Sequence, residues 1–325
     1  MLPLCQGGGV PPHSKECRVE AFAHRMGSRS PNSSRECFAR AGCVNQPAGC
    51  GRDSQSVTIT RRFGWEDLMR FGCCVGMDGI ESVEDAGYDY VELPVATVLP
   101  EASDAEWDQV RREILKYTIK PEAWYVLLPG DFRVTGPEVD WPRLRRYLAT
   151  AFRRIAEVEG RVVVFGSGRA RRVPDGFPFD EARKQIEDFV KAAGDAAHEK
   201  ALRLAIEPLN RRESNMINSV AEALSHAAAL SHPSVGVLAD FFHMDEEHEP
   251  FADIIEARHY LTHVHIADTD RRHPGSGRYD YAGFFAALRE AGYAGRMSVE
   301  CVWGIDLDGE RRAALEFLRG MDRRA

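Results

Sequence analysis

From about residue 65 to the C-terminus, eight short β-rich runs alternate with amphipathic stretches at helical spacing. This alternation constrains the fold more than any other property of the chain. The runs are residues 70–75, 88–93, 122–127, 161–165, 202–206, 235–239, 262–266 and 297–302. Between the third and fourth, Leu144, Tyr147, Leu148, Ala151 and Ile155 recur on one helix face. Asp140 stands ahead of that stretch as a cap, and Pro142 fits its first turn, where a missing N–H costs nothing. Ser219 and Glu222 form a capping-box pattern before residues 223–230, and Pro233 stops that helix. Asp280 caps a helix over 281–290, with Gly292 at its end. Eight such alternations over about 260 residues predict an α/β fold with a closed parallel sheet, a (β/α)8 TIM barrel. The structural rival, an open doubly wound sheet, carries a glycine-rich phosphate turn after its first strand. Val75-Gly-Met-Asp-Gly79 lacks the G-x-G-x-x-G form.

Residues 1–64 differ in kind from the barrel assigned to 65–325. They are rich in Gly, Ser, Pro and Arg, as in Met26-Gly-Ser-Arg-Ser-Pro-Asn-Ser-Ser-Arg35, without a period of 2 or 3.6. Such a segment buries too little apolar surface to offset its ordering entropy, so a disordered low-complexity extension is expected. Met1-Leu-Pro-Leu-Cys5 lacks the charged start and long apolar run of a secretory signal; a Ser/Arg-rich, acid-poor transit peptide is the alternative. Five of the eight cysteines (Cys5, Cys17, Cys37, Cys43, Cys50) fall here, at spacings that match no metal knuckle. We read the stretch as a non-functional arm from an upstream start codon, with Met69 as the alternative start. Intact-mass measurement of the native protein tests this, and a product retaining residues 1–61 contradicts it. Cys73, Cys74 and Cys301 give the main body no disulfide framework, which suits a reduced, cytoplasmic enzyme. A net charge of −8 disfavours nucleic acid, and no run reaches the roughly 18 apolar residues of a membrane span. A small-molecule partner is expected.

The last four runs each end in an ionisable residue. Glu207 follows 202–206, Asp240 follows 235–239, His265 lies near the end of 262–266, and Glu300 follows Met297-Ser-Val299. In a barrel, those C-terminal strand ends converge on the rim where active sites lie. Three carboxylates crowded there repel one another unless a cation sits among them. One imidazole with three carboxylates suits Mn2+, Mg2+ or Co2+, with Zn2+ also admissible. Taken singly, each acid reads as a helix cap or surface group, and a strand histidine as a hydrogen-bonded core residue. Four on consecutive strand ends outweigh that reading. His263 and His265 alternate on their strand, so one is expected to face the interior and the other the helix layer.

Four segments carry a family resemblance: Ala205-Ile-Glu-Pro-Leu-Asn-Arg-Arg-Glu213, Ala239-Asp-Phe-Phe-His-Met244, His263-Val-His-Ile-Ala-Asp-Thr-Asp-Arg271 and Gly292-Tyr-Ala-Gly-Arg-Met-Ser-Val-Glu300. Together they make residues 70–318 resemble the xylose-isomerase-like barrel superfamily, in its sugar phosphate isomerase/epimerase branch. That branch includes ketose 3-epimerases, hydroxypyruvate isomerases and inosose dehydratases. The resemblance implies a divalent-metal-dependent isomerase or epimerase acting through an enediolate on a ketose or related polyol, with Mn2+ the preferred ion. It puts Glu207, Asp240, His265 and Glu300 on metal-ligand positions, Glu207 and Glu300 also on the acid/base positions, and Glu213, His243 and Arg271 on substrate-contacting positions. It leaves room for a homo-oligomer. The rivals are an inosose dehydratase-like lyase on a keto-inositol and an abasic-site endonuclease, which needs more histidines and acids than the early strands supply. A non-catalytic barrel is expected to show a broken ligand set.

Further features stay open at this level. Bland readings exist for Arg271 (a solvated arginine), His243 (a surface loop histidine) and Glu213 (a partner for Arg211 or Arg212). The loop Phe165-Gly-Ser-Gly-Arg-Ala-Arg-Arg-Val-Pro174 either accepts an anionic group such as a phosphate or carboxylate through its glycines and three arginines or is simply flexible and solvated. Glu92 and Trp124 line the pocket if they point inward.

Overall fold

The computed structural model describes residues 69–324, so the extension assigned to residues 1–64 lies outside the described residues. The strands are β1 (Arg70–Cys74), β2 (Tyr90–Pro94), β3 (Pro121–Tyr125), β4 (Val162–Phe165), β5 (Arg203–Ile206), β6 (Val235–Asp240), β7 (Leu261–Ile266) and β8 (Arg296–Val299). Each pairs in parallel with the next, and β8 closes on β1 through the register Phe71 to Met297 and Cys73 to Val299. The predicted barrel is what forms. β8 stops three residues early because the chain turns across the rim, where Val302 N donates to Arg271 O at 2.7 Å.

Around the sheet run α1 (Ile80–Ala86), α2 (Asp104–Ile114), α3 (Trp141–Glu157), α4 (Gly168–Arg171) and α5 (Phe179–Glu199). They are followed by α6 (Val220–Leu230), α7 (Phe241–Glu246), α8 (Ala252–Glu256), α9 (Tyr281–Glu290) and α10 (Leu307–Arg324). The local signals act as expected. Asp140 accepts from Arg143 N at 3.0 Å to start α3, whose face from Leu144 to Ile155 is buried. Ser219 caps α6 by accepting from Glu222 N at 3.0 Å, but the Glu222 carboxylate reaches back to Asn218 N (2.7 Å) and not to Ser219. Asp280 caps α9, and Gly292 follows that helix at φ +69°, a left-handed turn where glycine carries no steric cost.

Most buried apolar side chains lie between sheet and helices, including Trp107, Leu148, Phe165, Phe189 and Phe284. Each such side chain stabilises the fold by about 1.5–3 kcal/mol, so this outer layer holds the barrel together. The barrel interior is a separate, smaller cluster of Tyr90, Ala123, Val162, Val164, Ala205 and Leu238. Tyr90 fits only because β1 offers Gly72 opposite it: a Cβ there would lie 2.2 Å from the Tyr90 ring. The rest of the interior is polar. Glu92, His263, His265 and Ser298 are all fully buried.

One expectation about side-chain direction needs correction, and one direction left open by the sequence is found. His263 and His265 both face the interior, because residues two apart on a strand share a face. The alternation rule separates neighbours, not next-nearest neighbours. Trp124 packs in the outer layer with its indole N–H on Pro121 O at 2.9 Å, so it does not line the pocket; Tyr125 packs against the inner cluster instead.

Candidate metal centre at the C-terminal rim

Glu207 extends β5 by one residue. Its N–H donates to Phe165 O on β4 (3.2 Å), and its own carbonyl accepts from the buried Arg171 guanidinium (2.6 Å). Its carboxylate presses against the end of β4, where Gly166 makes room: a Cβ on Gly166 would lie 2.0 Å from Glu207 Oε2. Asp240 ends β6 and caps α7, with Oδ1 accepting from Phe242 N (2.8 Å) and His243 N (3.3 Å). Its second oxygen is left for the site, 4.0 Å from His265 Nδ1. The cap reading and the ligand reading thus apply to different oxygens of one residue.

His265 Nδ1 lies 3.1 Å from Glu300 Oε2 and 3.2 Å from Glu207 Oε1. One donor atom from each of Glu207, Asp240, His265 and Glu300 falls within 4.8 Å of the others. Glu207, Asp240 and His265 are buried, and Glu300 keeps 21% of its side chain exposed toward the cavity. Burial pushes the Glu207 carboxyl up, and the neighbouring Glu300 and Asp240 charges add to this against the pull of His265. Burial also works to raise the Glu300 carboxyl, but Arg271 and His265 outweigh it and hold it at about 2. Burial opposes charge on His265, yet Glu92 and Glu300 raise its pKa well above the usual range. A single imidazole nitrogen cannot satisfy three carboxylates. The donor set is oxygen-rich, convergent and short of positive charge, so it fits a divalent cation.

Beside these groups lies a cavity of about 200 Å³ lined by Glu207, Glu300, Glu213, His243 and Arg271, among others. All three residues expected to meet substrate therefore reach it. His243 is buried on α7 and is not a surface histidine: its Nδ1 faces Asn210 N (3.2 Å) and Asn210 Nδ2 (2.9 Å). Asn210 Nδ2 also donates to Glu213 Oε1 at 3.0 Å, while Arg211 and Arg212 pair with Glu247 and Glu246 instead of Glu213. Arg271 lies over the Phe242 ring at 4.7 Å and donates to Glu300 Oε2 at 2.8 Å, so it is not a merely solvated arginine. It reaches there from a backbone with positive φ at Asp270 (+59°) and Arg271 (+56°). Such conformations cost non-glycine residues free energy and persist where the surroundings over-determine them. The constraint comes from the buried Asp268, whose carboxylate accepts from Thr269 N (2.7 Å) and Gly275 N (3.0 Å).

Of the three arginines in the loop after β4, Arg171 is not available to an anion. It is fully buried and donates to the carbonyls of Phe165, Glu207 and Ile217. Arg169 is exposed and lines the cavity, and Arg172 is exposed. Glu92 does point inward, with Oε1 3.0 Å from His265 Nε2 and Oε2 2.8 Å from His263 Nε2. Among the described residues, the other convergent group of metal-ligating types is Cys74, Glu92 and His265, which shares His265 with the first.

Sequence reasoning took Gly166 and Arg171 only as parts of a candidate anion-accepting loop, and it gave Asn210 and Asp268 no role of their own. Asn210 and Asp268 stand inside the quoted segments, but a short polar residue in a loop gives no sign of which backbone groups it will satisfy.

Comparison with known proteins agrees with this geometry. A family model described as xylose isomerase-like TIM barrel matches residues 80–321. The 3-dehydro-D-guloside 4-epimerase of Escherichia coli (strain K12) is 33% identical over 153 residues, 45% of this chain and 58% of that protein. The chain thus spans little more than half of that relative's length. The D-psicose 3-epimerase of Agrobacterium fabrum is 27% identical over 230 residues, 68% of this chain and 77% of that protein. A crystal structure of a D-allulose 3-epimerase from Methylomonas sp. with D-allulose superposes with a TM-score of 0.70 at 22% identity, covering 78% of this chain and 97% of that one. That likeness concerns the fold. The family-model match over most of the barrel, together with the strand order and the rim geometry, shows that the chain belongs to the xylose isomerase-like TIM barrel family.

Proposed function

We propose that this chain is a divalent-metal-dependent carbohydrate isomerase or epimerase that moves a proton at the carbon beside a sugar carbonyl. The observation that carries the reading is the convergence of Glu207, Asp240, His265 and Glu300 within 4.8 Å, with both glutamates lining the cavity. The names of the relatives, a 3-dehydro-D-guloside 4-epimerase and a D-psicose 3-epimerase, favour a sugar over other small molecules.

In this reading Glu207, Asp240, His265 and Glu300 hold one ion, with Mn2+ the first choice. When bound, the ion supplies Lewis-acid stabilisation of the negative charge that develops on the sugar oxygens. The protein's own groups do the proton work. One of Glu207 and Glu300 enters ionised and takes the proton from carbon, which leaves an enediolate. The other enters protonated and returns a proton, to the opposite face in an epimerisation. General acid and base groups so placed contribute about 10²–10⁴-fold. Arg271, stacked on Phe242, and His243, held by Asn210, orient substrate oxygens, and Glu213 fixes a hydroxyl at the same wall.

The test is to incubate the Mn2+-loaded protein in D2O with a panel of ketoses, inososes and hydroxypyruvate and follow the products by NMR. The expected product is an isomer carrying deuterium at the reacting carbon. A new alkene or dicarbonyl marks dehydration instead, and failure of the loaded protein to turn over any sugar or polyol overturns the proposal.

A further inference from the structure

Beneath the four candidate ligands the barrel interior holds a continuous chain of buried polar contacts. Tyr90 Oη meets Ser298 Oγ (2.8 Å), Ser298 Oγ meets His263 Nε2 (3.3 Å), and His263 Nε2 meets Glu92 Oε2 (2.8 Å). Glu92 Oε1 then meets His265 Nε2 (3.0 Å), whose other nitrogen faces Glu207 and Glu300. Every member below the rim is fully buried. A carboxylate in such a place must be hydrogen-bonded, and Glu92 accepts from one imidazole at each oxygen.

We infer that Glu92 is the positioning residue of the metal centre: it fixes the proton of His265 on Nε2, leaves the Nδ1 lone pair free for the cation, and is itself held by His263. The inference rests on the metal-centre reading above and goes beyond it, because it assigns to β2 a role in a site whose ligands all come from β5 to β8. The chemistry follows from donor and acceptor counts. An ionised carboxylate only accepts, so both imidazole nitrogens facing it must carry hydrogen. His263 is consistent with this, since its Nδ1 has no hydrogen-bond partner and a proton there would be a buried orphan donor. For His265 the same demand puts N–H on Nε2. In the neutral ring, the form in which a histidine binds a metal, Nδ1 is then the free lone pair, and it is the nitrogen that faces the other three ligands.

Glu92→Gln tests this with almost no change in volume. The amide puts one oxygen and one NH2 group where Glu92 has two carboxylate oxygens, so whichever way it turns His265 loses its charged acceptor; where the NH2 faces His265, the ring proton also moves to Nδ1, toward the other ligands. Removing outer partners of ligating histidines weakens metal binding by about 10–100-fold. Mn2+ affinity, measured by titration calorimetry on the full chain, should fall within that range in Glu92→Gln. Tyr90→Phe, three contacts further down, removes a buried hydrogen bond of the same interior and should leave Mn2+ affinity unchanged. Should Glu92→Gln fail to fold, His263→Leu gives the second arm. It frees one oxygen of Glu92 and should weaken Mn2+ binding, while His263→Gln, whose amide nitrogen can donate near the Nε2 position, should restore it.

A wild-type chain that binds no Mn2+ overturns the metal-centre reading and this inference with it. A wild type that binds Mn2+ while Glu92→Gln or His263→Leu binds as tightly overturns this inference alone. Equal losses in Glu92→Gln and Tyr90→Phe also overturn it, because they reveal general loosening of the interior.

Discussion

The two halves of the barrel treat the same rim differently. At the ends of β5 to β8, Glu207, Asp240, His265 and Glu300 converge on one point with their charges facing one another. Around the ends of β1 to β4 the chain offers support: Glu92 below His265, Gly166 as space for Glu207, and Arg171 gripping the Glu207 carbonyl. The second half carries a concentrated, mutually repulsive charge set, offset within that half by Arg271 on Glu300, and the first supplies close contacts and hydrogen bonds that position Glu207 and His265. The rim therefore rests on both, but only one half announces itself by residue type.

The comparison can be broken experimentally, and the largest effect belongs to the second half. Glu300→Gln should lower turnover by about 10²–10⁴-fold while modestly weakening Mn2+ binding. Near-normal turnover of the expected sugar would remove Glu300 from the proton-transfer role. A substitution at Arg171, after β4, should read out mainly as stability. Arg171→Met removes the guanidinium from the buried carbonyls of Phe165, Glu207 and Ile217; Phe165 O and Ile217 O keep backbone donors in Glu207 N and Leu209 N, so the loss falls chiefly on Glu207 O. Denaturant unfolding should show a loss of about 1–3 kcal/mol, the cost of one buried group left without its partner. Unchanged stability with abolished Mn2+ binding would instead make Arg171 a group that positions Glu207 for the ion.

Mn2+ itself sharpens the contrast. Binding to the folded chain alone should stabilise it by about 2.7 kcal/mol at a hundred times the Kd. A chelator should reverse the gain while leaving the far-ultraviolet circular dichroism of the barrel intact, because the outer apolar layer does not depend on the ion. A melting temperature indifferent to Mn2+ would argue that the four side chains do not share one.

A further effect lies away from the rim. Burial, with a hydrogen bond to Asp253, pushes the Glu249 carboxyl up to about 8, against a bond from Val220 N. A folded pKa above the unfolded one means that the folded state binds more protons between the two values. Its contribution is full below about 4.5, is lost as pH rises, and is gone above about 8. Glu249→Gln should flatten that part of the stability profile without affecting Mn2+ binding. An unaltered profile would show that Glu249 titrates normally.

The fold was legible because each of its causes is local and repeated. Eight β-rich runs, the Leu144 to Ile155 helix face and the Asp140, Ser219 and Asp280 caps all act where the sequence puts them. The four candidate ligands were legible because strand ends converge in a barrel. The supports were not. Gly166 matters only because Glu207 lies against it, and Arg171 looks like its two exposed neighbours until the carbonyls it meets are known. Asp268 shapes the Arg271 loop through backbone N–H groups, which leave no mark on residue identity. The error over His263 was of another kind, a period-2 pattern misapplied to residues two apart. Once corrected, it places both histidines on Glu92.

Crystals grown with Mn2+ and measured near the manganese absorption edge address the central claim most directly. The account predicts one anomalous peak per chain, within bonding distance of Glu207, Asp240, His265 and Glu300 together. A peak elsewhere, or none at this position despite saturating Mn2+, would contradict it.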